Sequence, residues 1–334
     1  MAAQTKQLDT STLKAFENAA AGHEGVLSDP SGELLIKPCT QAELAFYQQT
    51  LVEHPDFAEL MPTFMGTLSL GAPAQAADSI VAQELLATTE VQNGQRLYGT
   101  KIVTETAIVL ENLEHGFTRP NVLDIKLGAQ LCDPNSTAPE KVARLEKVAA
   151  DTTSGSLNFR ISGMKVWNST SFDVYDKLYG RKFNADNVKD GFATFFAGLT
   201  TGLKSDEAAE LLETIEAEIT KVRHALERSE SRMYSASLLI VHEGDSTVLG
   251  TLTGGQSKTP RISEKAPTVG EVRQSEQEEE EEDEDNEEPV AFKVKMIDFA
   301  HAAWTPGQGR DDNIITGIKN VEKQMDELIS RVAG

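Results

Sequence analysis

Apolar and polar residues alternate most sharply in Arg119-Pro120-Asn121-Val122-Leu123-Asp124-Ile125-Lys126-Leu127-Gly128. A two-residue period marks a strand: Leu123, Ile125 and Leu127 form a core face, and Val122, Asp124 and Lys126 share the other. Two residues apart on one face, Asp124 and Lys126 stand about 7 Å apart along the strand. Gly128 permits close approach of backbone or ligand. Taken alone, such a face is an ordinary polar strand surface or a phosphoryl-transfer pair. In the second case the carboxylate orients or deprotonates a hydroxyl and the cation holds a phosphate.

The same patterning predicts the other elements. A short helix is expected over 12–20, and then a β-hairpin whose strands, Gly22–Leu27 and Glu33–Pro38, turn at Asp29-Pro30-Ser31-Gly32. Lys37 ends the second strand, where a lysine can reach nucleotide phosphates. Thr40-Gln41-Ala42-Glu43 is a capping box opening a helix with the apolar stripe Leu44, Tyr47 and Leu51. Glu43 either caps that helix or turns to pair with Lys37. Thr63–Leu68 is strand-like; 71–99 is a soft loop with one helical turn around Ile80–Leu86. A long strand, Lys101–Leu113, leads into the connector Glu114-His115-Gly116-Phe117. Kinase hinges offer backbone groups to adenine from such a place, making Glu111 and Leu113 candidates; a plain strand end fits as well.

Beyond the central strand, Pro139–Lys147 reads as a helix with Lys141, Arg144 and Lys147 on one winding face. Thr152–Ser156 reads as a loop, Asn158–Trp167 as a strand, and Lys177–Lys182 as a second basic cluster. Helices are expected over Val188–Leu199, from a Ser205 cap to about Glu227, and over Asp311–Val332. Their stripes, such as Leu211, Leu212, Ile215, Ile219, Val222 and Leu226, are core. Two strands, Ser235–Val241 and Ala291–His301, flank a segment poor in apolar residues, expected to be disordered. An acid at the end of the second strand, Asp298, could hold a magnesium ion that bridges nucleotide phosphates.

Charge sharpens the picture. The 334-residue chain has a formal net charge of -22, and 11 acids fall within Ser275–Glu288. The remainder is only moderately acidic, which argues against nucleic acid or an anionic membrane as the main partner. Two cysteines, Cys39 and Cys132, exclude a disulfide scaffold. The N-terminus is polar and no apolar run reaches membrane-spanning length, so a soluble protein without a membrane span is expected.

Three ordered motifs carry a resemblance. Pro120-x-x-x-Asp124-x-Lys126-x-Gly128, Ser237-Leu238-Leu239 and Ile297-Asp298-Phe299-Ala300-His301 resemble the signatures of the inositol polyphosphate kinases. Ala21-Gly22-His23-x-Gly25 and Glu43-Leu44-x-Phe46-Tyr47 agree. Within that family the chain is most similar to the multikinases, and its acidic insertion resembles the fungal members. Ala236 stands where many members have a serine. The resemblance implies an α+β, two-lobed, protein-kinase-like fold, related to ATP-grasp, with a small helical inositol-phosphate-binding insertion. The lobes would be 1–113 and 114–334, the insertion 134–157, and a disordered acidic loop 250–289.

The resemblance also implies roles: Lys37 on ATP phosphates, steadied by Glu43; Glu111 and Leu113 on adenine; Asp124 and Lys126 at the reacting hydroxyl and phosphates. It implies Asp298 on magnesium with Ser237 nearby, and His301 with Lys141 on the inositol phosphate, Arg144 and Lys147 being weaker candidates. The activity expected is ATP- and magnesium-dependent phosphorylation of inositol trisphosphate and tetrakisphosphate towards pentakisphosphate, in nucleus and cytoplasm. A different class of function, a nuclear scaffold docking basic proteins through 275–288, remains open beside it. A protein kinase is disfavoured because neither an H-R-D-x-x-x-x-N nor a G-x-G-x-x-G loop is present.

Overall fold

Two antiparallel sheets arise from the two clearest stretches of alternation, one around Lys37 and one around Asp124. The computed structural model describes residues 12–16, 25–69, 104, 106–253 and 290–334, and the backbone alone at 91–92, 95–96 and 254. The segments 17–24, 71–90 with its expected helical turn, 101–103 and the acidic 275–288 lie outside the described residues.

The first sheet has the order β1-β2-β3-β7-β4. Its strands are β1 (Lys14–Ala15), β2 (Leu27–Ser28), β3 (Leu34–Pro38), β4 (Phe64–Ser69) and β7 (Thr106–Glu111). A small ribbon, β5 (Val91–Gln92) and β6 (Gln95–Arg96), precedes β7. The D-P-S-G turn closes β2 on β3 as expected: Asp29 Oδ1 accepts the Leu34 N–H at 2.9 Å, and Gly32 supplies φ +81°. Residues 14 and 15 form a strand, not the expected helix. They pair with Ser28 and Leu27, and Leu13 joins Leu27, Ile36, Ala107 and Val109 in the sheet's own apolar cluster. Between β3 and β4 run α1 (Gln41–Glu53) and α2 (Pro55–Ala58).

The second sheet has the order β10-β9-β8-β12-β13. The elements are β8 (Pro120–Leu127), α3 (Pro139–Ala150), α4 (Thr153–Leu157), β9 (Phe159–Trp167), β10 (Phe172–Tyr175), α5 (Lys177–Gly180), α6 (Val188–Phe195) and α7 (Ala197–Gly202). They continue with α8 (Ser205–Arg228), β11 (Ser231–Met233), β12 (Ser237–Glu243), α9 (Ser246–Gly254), β13 (Phe292–Ile297), β14 (Ala302–Trp304) and α10 (Asp312–Ala333). The inner face of this sheet, with Leu123, Ile125 and Leu127 fully buried, packs on α6, α8 and α10. Burying each such aliphatic side chain is worth about 1.5–3 kcal/mol, so this layer is the stable platform of the molecule.

Several boundaries differ from expectation: α8 is capped at Lys204 rather than Ser205, and the strand expected over Ala291–His301 ends at Ile297. Residues 153–157 are helical rather than a loop, because Thr152 caps them and Asn158 closes the turn at φ +55°. The helix from Val188 breaks at Phe196, though Phe192, Phe195, Phe196 and Leu199 are all buried as expected. The segment after β12 opens with α9, so 250–254 belong to a helix. Among the described residues no helix is long and apolar enough to cross a membrane. Cys39 and Cys132 are buried free thiols.

Candidate active site

Lys37 alternates with fully buried Ile36 on β3, so its ammonium leaves the first sheet on the face turned to the second. There it meets two carboxylates, Glu43 Oε1 and Asp298 Oδ1, each at 2.8 Å. Thr40 caps α1 by accepting the Glu43 N–H at 3.1 Å, and the Glu43 side chain turns to Lys37. The two open readings of Glu43 thus resolve in favour of the ion pair. Burial alone would depress the Lys37 ammonium, but Asp298 and Glu43 hold it well above its ordinary value.

Asp298 sits one residue beyond β13 with φ +68°, a left-handed conformation that is costly for a residue with a side chain. Its second oxygen lies 3.6 Å from Lys126 Nζ, which also donates to the Ser235 carbonyl at 2.8 Å. Asp124 is buried on the same face of β8, and burial raises its carboxyl above the usual range, with Lys126 opposing and Asp298 adding to the rise. Asp124 Oδ1 and Glu43 Oε2 are buried without hydrogen-bond partners among the described residues. Ser237, opposite Lys126 in the β8–β12 register, places its hydroxyl beside Asp124 but makes no well-formed hydrogen bond. These unsatisfied oxygens belong to side chains gathered around Lys37, Lys126 and Asp298, and such groups are costly unless something partners them.

At the other end of β8 the same face turns apolar. Leu113, Val122 and Val241 form a small cluster with Phe117, Leu239 and Ile297, separate from the main core. Leu113 lies in the connector, and its N–H meets no acceptor among the described residues. Glu111 is committed elsewhere: its N–H goes to the Thr63 carbonyl at 2.9 Å, and its carboxylate to Lys293 at 3.0 Å and to Thr63.

A cationic group completes the site. Arg160 stands opposite Lys126 in the β8–β9 register and donates to Ser154 Oγ at 2.7 Å. Burial and nearby Arg181 bring the Arg160 guanidinium down to about 10, with Asp124 opposing. Lys177 is likewise lowered by burial and by Arg181, with Arg144 contributing. Of the three α3 residues singled out in the sequence, Arg144 is exposed and is tied to this group only by its repulsion of Lys177. Lys141 is exposed, and Lys147 is turned to Asp151 at 2.7 Å instead. His301 is exposed three residues past Asp298, its carbonyl accepting the Tyr234 N–H at 3.1 Å. Arg160 had no assigned role in the sequence. Its signal was alternation against buried Phe159 and Ile161 on β9.

A family model described as "Inositol polyphosphate kinase" matches residues 107–326. The chain is 32% identical to the inositol polyphosphate multikinase of Saccharomyces cerevisiae, across 94% of this chain and 98% of the relative. It is 29% identical to the multikinase of Schizosaccharomyces pombe, across 92% and 95%. Mouse inositol hexakisphosphate kinase 3 is 28% identical, over 64% of this chain and 48% of its own length. Among solved structures, the inositol phosphate multikinase of S. cerevisiae in complex with ADP and Mn2+ superposes with a TM-score of 0.63 at 27% identity, covering 89% of this chain and all of that one.

Proposed function

The chain belongs to the inositol polyphosphate kinase family, and from that premise we propose that it is an ATP- and divalent-metal-dependent multikinase, converting inositol trisphosphate and tetrakisphosphate towards pentakisphosphate. One observation carries the reading: Lys37, Glu43, Asp298 and Lys126, from four separated segments, converge within ion-pair reach between the apolar cluster of Leu113, Val122 and Val241, which we take as the slot for the base, and a cationic group. Likeness over nearly full length to two yeast multikinases supports the multikinase class, and the ADP and Mn2+ bound to one of them support the cofactors.

The oxygens present suit a hard cation: the Asp298 carboxylate, the unpartnered Asp124 Oδ1 and the Ser237 hydroxyl. Asp298 with Ser237 would hold it, and when bound it neutralises phosphate charge. Lys37, kept charged by its two acids, binds the nucleotide phosphates. The base lies over the slot, with contacts from the Leu113 N–H and the Glu111 carbonyl. Asp124 orients or deprotonates a hydroxyl at the cleft, for which a raised carboxyl is better suited than an ordinary one. Lys126 steadies the transferring phosphoryl group. Arg160, Lys177, Arg181 and Arg144 bind the phosphates of the inositol, with His301 and Lys141 at the margin. Positioning and charge neutralisation supply most of the rate, since phosphoryl transfer asks little covalent chemistry of the protein.

The test is a purified-protein assay with magnesium, ATP and inositol trisphosphate, products resolved by ring position. Successive tetrakis- and pentakisphosphates are expected, lost in a folded Asp298→Ala variant. A single phosphorylation that stops there would reject the multikinase reading, and full activity in Asp298→Ala would reject the metal site.

A further inference from the structure

The connector between the sheets is tied on both sides of one residue. On one side, Asn112 is held to the first lobe: its N–H reaches the Glu33 carbonyl at 2.7 Å and its side-chain amide the Gly32 carbonyl at 2.7 Å. On the other, Glu114 forms an ion pair with Lys165 of β9, the side chains only 16% and 5% exposed. The Glu114 N–H also returns to Asn112 Oδ1 at 3.1 Å. Further along, the Glu243 carboxylate takes the N–H groups of Thr118 and Arg119 at 2.7 and 2.9 Å. Between these ties Leu113 makes no backbone hydrogen bond among the described residues, and its side chain packs in the apolar cluster with Val122 and Val241.

Lys165 has no place in the phosphate chemistry. It pairs in register with Val122, at the apolar end of the site, and lies 4.9 Å from the Phe172 ring centroid. An ion pair so little exposed gains less from folding than an apolar pair of the same shape would, because both charges lose their water. Its retention here has a geometric consequence. The carboxylate of the residue next to Leu113 is anchored to the strand that flanks the slot floor.

We propose that the Glu114–Lys165 ion pair is a positioning element of the nucleotide site: it fixes Leu113 over the slot so that its N–H faces an adenine base. The proposal rests on the base lying over the slot. The pair sets affinity for adenosine while leaving recognition of the phosphates to Lys37 and Lys126.

The experiment compares binding of ADP and of inorganic tripolyphosphate by calorimetry, together with steady-state kinetics. The main variant is Glu114→Gln/Lys165→Met, which removes both charges and leaves neither stranded. Its ADP affinity is expected to fall about tenfold, with tripolyphosphate binding and kcat at saturating ATP retained and KM for ATP raised. Unchanged ADP affinity, or an equal loss for tripolyphosphate, overturns the proposal. Should the double variant not fold, Lys165→Met alone, which removes the tether and leaves only the part-exposed Glu114 carboxylate, is judged by the same outcomes. Val122→Phe, which fills the slot, separates the two layers of the argument. If it leaves ADP binding intact, the slot is not the base site. If it weakens ADP while the double variant does not, the positioning role alone fails.

Discussion

His242 is a buried ionisable group that the proposed chemistry does not use. The Phe195 ring meets it edge-on and the Phe196 ring stacks on it, with centroids at 4.9 and 5.5 Å. Its Nδ1 donates to the Glu243 carbonyl at 2.8 Å, and Nε2 lies 3.3 Å from Asn121 Nδ2 and 3.4 Å from the Phe195 carbonyl. Burial pulls its pKa below the ordinary 6.5, against the smaller opposing pull of the Glu243 and Phe195 carbonyls. The unfolded chain therefore binds a proton that the folded chain refuses. Stability is complete above the unfolded value and is lost as the pH falls through it, until the depressed folded value is reached. The urea midpoint should drop between about pH 7.5 and about pH 5.5, and the drop should be smaller in His242→Gln. An identical drop in both proteins would place the acid sensitivity elsewhere.

At the scale of elements, α1 shows what could be read from the chain and what could not. Its position, its Thr40 cap and the inward packing of Leu44 and Tyr47 were legible, but the full extent of its buried face was not. Leu51 of the expected stripe is exposed, while Glu43, Phe46, Tyr47 and Thr50 are buried. The helix is rotated because Glu43 must turn inward to Lys37, and a buried acid is invisible to any hydrophobic pattern until its partner is known. The partners of the rest of that face are equally distant in sequence. Phe46 stacks on Phe299 at 4.8 Å and on Trp304 at 5.3 Å, and Trp304 Nε1 donates to Thr50 Oγ1 at 2.9 Å. The same stack that seats α1 thus seats the residue next to Asp298. Phe299→Ala should cost about 3–5 kcal/mol of stability, measured by urea unfolding. Phe299→Leu should fold yet lose at least about tenfold in kcat, because Asp298 is no longer held by a ring between Phe46 and Tyr47. Wild-type kcat in Phe299→Leu would show that the stack serves stability alone.

Across the whole molecule, the polar strand face was legible because β8 carries its motif within a few residues, whereas the cleft was not. The site needs β3, α1, β9, β12 and the turn after β13 brought together, and of these Lys37, Glu43 and Asp298 announced themselves by type and place and Ser237 through its motif. Arg160 and the slot around Val122 emerge from register between strands, which no local pattern encodes. The same long-range pairing welds the lobes. Cys39, Phe46, Tyr47, Ile108 and Leu110 of the first lobe belong to one apolar cluster with the sheet and helices of the second. The Met296 N–H reaches the Leu60 carbonyl at 2.7 Å, and Lys293 pairs with Glu111 across the same boundary. Lobes that share a core should not unfold apart. The two tryptophans report on different places, Trp167 at the end of β9 within the second lobe and Trp304 against α1 at the junction. In Trp304→Phe the remaining fluorescence follows the second lobe, and in Trp167→Phe it follows the junction. Within each variant the fluorescence midpoint in urea should coincide with that of far-ultraviolet circular dichroism. A junction signal lost well before the dichroism would mean that the lobes separate first and that the Lys37–Asp298 geometry is held by ligand rather than by the fold.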